Sequence, residues 1–163
     1  MKSLAAILGA LLCVASASAA DDTPKAEVFG GFSVLSVDVQ QGLGWQASVA
    51  GNLNKKVGIL ADLGGHYKFH VSSYEYLFGP QFSVRGSRTT VFAHALFGGA
   101  RLQGFDSATT GFAMGFGGGL DVNATRRIGI RVFQLDWIPS RFEGGWQNRT
   151  GRIGFGVVFK SGS

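Results

Sequence analysis

The sequence predicts an all-β chain: eight antiparallel strands closed into an up-and-down transmembrane β-barrel, preceded by a cleaved signal peptide. Three observations carry this. First, residues 57–69 alternate, with Val57, Ile59, Ala61, Leu63, Gly65, Tyr67 and Phe69 against Gly58, Leu60, Asp62, Gly64, His66 and Lys68. Successive strand side chains point to opposite faces, so a period of two gives one apolar and one polar side. The run outlasts a typical globular strand of about five or six residues and reaches the roughly 9–11 that a tilted strand needs to cross a bilayer. Second, similar segments recur down the chain, and after the leader no apolar run is long enough for a spanning helix. Third, the 26 glycines and 14 phenylalanines share the same alternating segments, as in Gly115, Gly117, Gly119 and Gly154, Gly156. Small residues along one face suit a narrow, curved barrel wall.

Residues 1–20 read as a secretory signal peptide. Lys2 precedes a short apolar core, and small residues lead to Ala20 and the Asp21-Asp22 pair. Cleavage is expected after Ala20 or Ala19, leaving 21–163 as a single barrel domain. Cys13 is the sole cysteine and follows Leu12, where a lipoprotein signal needs a small residue, so lipid anchoring is not expected. The mature chain then has no disulfide and no thiolate metal site. The basic residues behind the formal charge of +5 are dispersed over strand ends and turns and make no single run, which argues against nucleic-acid binding.

The first strand is predicted at about 26–38, where Val28, Gly30, Phe32, Val34 oppose Phe29, Gly31, Ser33, Leu35 and leave the facing open. The second, about 43–53, cleanly sets Trp45, Ala47, Val49, Gly51, Leu53 against Gln46, Ser48, Ala50, Asn52. The third is 57–69. The fourth, about 74–85, turns Tyr74, Tyr76, Phe78, Pro80, Phe82 and Val84 outward and Glu75, Gln81, Ser83 and Arg85 inward, with a break in pairing expected at Pro80. The fifth, about 90–103, sets Val91, Ala93, Ala95, Phe97 against Phe92, His94, Leu96 and is again ambiguous. The sixth, about 110–123, opposes Phe112, Met114, Phe116 to its glycine face and Asp121. In the seventh, about 127–138, the outward parity of Ile128, Ile130 and Val132 runs on to Gln134 and Asp136. Either a bulge shifts the register near Phe133 or those two residues lie at the interface. Pro139 to Arg149 is the longest expected loop. The eighth strand, about 150–160, points Ile153, Phe155, Val157, Phe159 outward and Arg152, Gly154, Gly156, Val158 inward. The turns after strands two, four and six are short and basic, as expected for an even-stranded barrel with both termini on the periplasmic side.

The chain resembles the small bacterial outer-membrane β-barrel family, the OmpA-like, porin-family "outer membrane protein beta-barrel" domains. The resemblance rests on Glu27 to Ser33, Phe92 to Ala100, Arg131 to Phe142 and Gly151 to Phe159. It implies residence in the bacterial outer membrane, contact with lipid and lipopolysaccharide, and an aromatic closing strand, here ending in Phe159, that the barrel-assembly machinery reads. It implies a monomer.

The inward polar set is Asp62, His66, Glu75, Arg85, His94, Arg131 and Arg152, with Asp121 a further candidate. Buried charges must pair, and eight strands enclose a lumen only wide enough for side chains. A paired plug is therefore expected, with a narrow ion or solute channel as the alternative. Catalysis is not expected. Lipid A deacylases carry a Phe-x-His-x-Ser run; Phe92-Ala93-His94 resembles its start, but Leu96 stands at the serine position, and an alkyl chain is no nucleophile. His66 and His70 would lie about 13 Å apart on a strand, too far to share a metal, and no cofactor is expected. The 141–149 segment, with Arg141, Phe142, Trp146 and Arg149, suits an interfacial aromatic girdle better than a lipopolysaccharide contact. The expected role is structural or one of surface interaction. A soluble secreted barrel carrying a small hydrophobic ligand is a further alternative, and it requires the opposite facing.

Overall fold

The computed structural model describes residues 23–37, 40–68, 70–104 and 106–162; the predicted signal peptide and Phe69 lie outside the described residues. Eight strands form the wall: β1 (Ala26–Val37), β2 (Gln40–Asn52), β3 (Val57–Lys68), β4 (Val71–Arg85), β5 (Thr89–Gln103), β6 (Ala108–Asn123), β7 (Ile128–Trp137) and, after two short strands β8 (Ser140–Phe142) and β9 (Gly145–Gln147), β10 (Thr150–Ser161). Each pairs antiparallel with its neighbours, and β10 closes the barrel on β1, from Ala26 opposite Ser161 to Val37 opposite Thr150. Closure leaves no wall strand with an unpaired edge. Stepping across the register from Asn52 of β2 through Gly58, Gln81, His94, Gly117, Asp136, Arg152 and Leu35 returns to β2 at Gly42. That displacement is the stagger of strongly tilted strands.

Facing is uniform. Outward residues are large, apolar and exposed: Phe32 at 64%, Phe78 at 65%, Val84 at 71%. Inward ones are buried whether polar or not. A soluble carrier would bury the apolar set, so the apolar-out arrangement is that of a barrel in lipid. The ambiguous strands resolve: Phe29, Ser33 and Leu35 of β1, and Phe92, His94 and Leu96 of β5, all face inward.

Two irregularities matter for the interior. Asp121 pairs with Arg131 and Leu120 with Phe133, so Val132 is the extra residue of a β-bulge; opposite it, Gly154 meets Gln134 and Gly156 meets Arg131. Val132 and Phe133 both face outward, and Gln134 and Asp136 turn into the lumen. At Pro80 the β3 ladder is continuous, whereas on the β5 side pairing stops after Phe78 and resumes at Gln81 in unchanged register. The expected break is therefore confined to one edge. The expected 139–149 loop is instead a hairpin. Past Pro139 the chain pairs again with β6 through Ala113 and Phe112, and β8 folds back onto β9. Gly145, at φ 119°, takes the left-handed backbone its turn requires.

Candidate functional site

The lumen is the candidate site, because the alternation of every wall strand delivers its polar side chains there. At the end holding the termini, Arg85 Nη2 donates to Glu27 Oε1 at 2.7 Å and Nη1 to the Lys55 carbonyl at 2.8 Å. Asn52 Nδ2 reaches the same Glu27 oxygen at 3.0 Å and the Pro24 carbonyl at 2.7 Å. Arg85 is the one predicted lumen residue that is only half-buried, at this mouth.

Further in, Arg131 grips Asp121 with Nε at 2.8 Å and Nη2 at 3.0 Å, and its Nη1 donates to Gln134 Oε1 at 2.7 Å. The guanidinium lies between the rings of Phe29 (4.4 Å) and Phe92 (4.1 Å). The planar fork matches the carboxylate, and the ring faces attract its charge. This explains why two large aromatics occupy a mostly polar face.

Arg152 is the hub of the central layer. It ion-pairs with Asp62 at 2.6 Å and donates to Asp136 Oδ2 from Nε at 3.0 Å and Nη2 at 2.7 Å. Gln46 Nε2 donates to Asp62 at 2.6 Å. Gln134 Nε2 donates to Asp136 at 2.8 Å, and His94 Nε2 lies 2.9 Å from the other Asp136 oxygen. All these side chains are buried. Beside this layer Ser33 Oγ is 2.7 Å from His66 Nε2, His66 Nδ1 is 3.1 Å from Glu75 Oε2, and Ser73 Oγ donates to Glu75 Oε1 at 2.7 Å. Leu35, Leu60, Leu77, Leu96, Ala113 and Ile138 form a buried apolar cluster, with Val37 and Phe142 packed against it. A cleft of about 740 Å³ lies between Lys55 and Gly86 and is lined also by the inward-facing Thr23, Ser83 and Arg85, and one of about 420 Å³ lies beside Trp137 and Ile153 and reaches Asp136 and Arg152.

Ser33, His66 and Glu75 have the connectivity of a nucleophile, base and orienting carboxylate. Ser33 has no exposed surface, so no substrate reaches its hydroxyl in this conformation. No group of three or more metal-ligating side chains occurs among the described residues; His66 faces inward and His70 is exposed at the β3–β4 turn.

No family model matches the chain, and no curated protein matches it. Solved structures do. The N-terminal β-barrel domain of Pseudomonas aeruginosa OprF superposes with a TM-score of 0.62 at 15% identity, over 83% of this chain and 97% of that one. Neisserial surface protein A gives 0.61 at 15% identity, over 83% and 95%. Ail, the attachment invasion locus protein of Yersinia pestis, gives 0.53 at 14%, over 84% and 98%. The chain has the fold of the small eight-stranded outer-membrane barrels. At these identities the likeness is one of fold.

Six of the seven predicted lumen residues, Asp62, His66, Glu75, His94, Arg131 and Arg152, are buried inside the wall, and Asp121 joins them. Asp121, Arg131, His94, Arg152 and Asp62 are joined through Gln134 and Asp136 into one network, while His66 with Glu75 and Arg85 with Glu27 pair apart from it. The sequence left Gln134 and Asp136 outside the lumen set, with their place open between a bulge near Phe133 and the interface; the bulge at Val132 turns both inward. A carboxylate at a lipid-facing position was itself the signal that the register must shift. Glu27, Ser33, Gln46 and Asn52 carried weaker signals, since the facing of β1 could not be read and neutral side chains drew no attention.

Proposed function

We propose that this protein resides in the bacterial outer membrane as a closed, non-catalytic barrel with a structural or surface-interaction role. One observation carries the reading: the lumen is occupied across its section by paired side chains centred on Arg152. A solute would have to break these pairs in a low-dielectric interior, where separating them is costly. Lipopolysaccharide and outer-membrane lipid are the proposed surroundings, and the barrel-assembly machinery is the proposed partner during insertion. The outward-facing Phe159 on the closing strand serves as its signal. A monomer is proposed. A surface role is consistent with the fold: Ail has been crystallised with the heparin analogue sucrose octasulfate.

Two measurements test this. In isolated membranes the unboiled protein should migrate differently from the boiled one and be recovered in the outer-membrane fraction. Recovery in a soluble fraction without a mobility shift would overturn the membrane location. In planar bilayers the folded barrel should give no conductance steps above background. Stable steps would replace the plug with the narrow-channel reading.

A further inference from the structure

The rim holding the termini is basic on every side. The β2–β3 turn exposes Lys55 and Lys56, the β4–β5 turn exposes Arg88, the β6–β7 turn exposes Arg126 and Arg127, and Lys25 is exposed beside the first strand. Among the described residues this rim exposes no acid: Glu27 and Asp121 are buried against Arg85 and Arg131. The opposite rim differs, since its cations Lys68, Arg101, Arg141 and Arg149 stand beside exposed Asp106 and Glu143. The Trp and Tyr residues (Trp45, Trp137, Trp146, Tyr67, Tyr74, Tyr76) all lie in the half of the barrel towards that opposite rim.

Two of the basic turns are built alike. Asn54 Oδ1 accepts from the backbone N–H groups of Lys56 and Val57, both at 2.9 Å. Thr125 Oγ1 accepts from those of Arg127 (3.2 Å) and Ile128 (3.0 Å). In each, a side-chain oxygen fixes the turn and two adjacent cations stand exposed at its tip. The cations border the apolar band directly, next to Leu53, Val84 and Ile128. A cleft of about 740 Å³ lies between two of these turns, lined by Lys55, Lys56, Val84 and Gly86 and, towards the barrel mouth, by Thr23, Ser83 and Arg85. Cationic tips above exposed aliphatic side chains match an amphiphile with an anionic head and acyl tails.

We infer that this rim is a binding surface for anionic phospholipid of the periplasmic leaflet, with phosphate heads on the turn cations and tails along the adjoining band. The inference rests on the membrane reading above. Several cations acting together near a headgroup plane give a selectivity on the order of tenfold for anionic over zwitterionic lipid, and because the cations are exposed, salt weakens it.

The test uses the mature barrel folded in micelles and checked for heat-modifiable mobility, with equal amounts of dimyristoylphosphatidylglycerol and dimyristoylphosphatidylcholine. Retained lipids are counted by native mass spectrometry. The wild-type barrel should retain phosphatidylglycerol about tenfold over phosphatidylcholine. The variant Lys55→Gln/Lys56→Gln/Arg126→Gln/Arg127→Gln, which keeps Asn54 and Thr125, should lose that preference, and Arg101→Gln/Arg141→Gln on the opposite rim should keep it. Lys56→Gln/Arg127→Gln serves if the quadruple variant does not fold, and should halve the preference or more. Equal retention of both lipids by a heat-modifiable barrel overturns this inference alone, as does equal loss in the two rim variants. Binding of inorganic phosphate or isolated cell-wall polymer at the same cations, without lipid preference, overturns the lipid assignment. Absence of heat-modifiable mobility overturns the membrane reading and this inference with it.

Discussion

Replacement of Arg152 by methionine should abolish or severely weaken folding of the barrel. Methionine keeps much of the length of the side chain and removes the charge and the donors. Asp62 and Asp136, both buried and both held by this guanidinium, would then face each other's charge in the lumen. Breaking a buried ion pair by removing one partner costs about 3–5 kcal/mol, and here one cation serves two carboxylates. The measurement is the urea concentration at which the heat-modifiable band of the refolded barrel disappears. A fall of at least half the wild-type midpoint, or no folded band at all, is expected. Adding Asp62→Asn to Arg152→Met should restore part of the loss, because it removes one uncompensated charge and leaves Gln46 a partner. Arg152→Lys should fall between, since a lysine keeps the charge but lacks the fork that reaches both acids. An unchanged midpoint in Arg152→Met would show that the central layer does not hold the barrel together.

How far the sequence reveals this interior depends on the contrast between the two faces of each strand. In β3 the contrast is broken only by the inward Leu60, and Asp62 and His66 could be placed from alternation alone. In β1 and β5 it fails for a physical reason. The lumen is not uniformly polar: Phe29 and Phe92 are needed inside to sandwich Arg131, so the inward face of each strand looks as apolar as the outward one. In β7 the rule itself is interrupted, because one extra residue at Val132 reverses the parity of everything beyond it. Strand length and number survive such local exceptions, so the eight-stranded architecture was legible. The pairings across the lumen were not, because they join residues of strands far apart in sequence, such as Asp62 of β3 with Arg152 of β10.

The glycine face of β6 leads to the second large effect. A Cβ on Gly115 would come 2.9 Å from Leu77 Cδ1, and one on Gly119 would come 2.8 Å from the Phe92 ring. On Gly117 it would overlap the Asp136 carboxylate and the Leu135 carbonyl, and lie 2.9 Å from the Asp136 Cα. The empty space along β6 is thus occupied by side chains reaching across from β4, β5 and β7. Gly117→Leu should prevent formation of the heat-modifiable barrel. The backbone of β7 cannot withdraw without opening the β6–β7 ladder, and a displaced Asp136 leaves Arg152 and His94. Gly117→Ala should fold with a stability loss of about 1–3 kcal/mol, the usual range for overpacking. Gly30 is the control: it faces outward, and a Cβ there would meet nothing within 4 Å. Gly30→Ala therefore removes the conformational freedom of a strand glycine without a clash. That variant should match or slightly exceed wild type in its urea midpoint. If Gly117→Ala and Gly30→Ala behaved alike, the glycines of β6 would serve only to curve the wall, and the close approach of Asp136 would not limit what the lumen can hold.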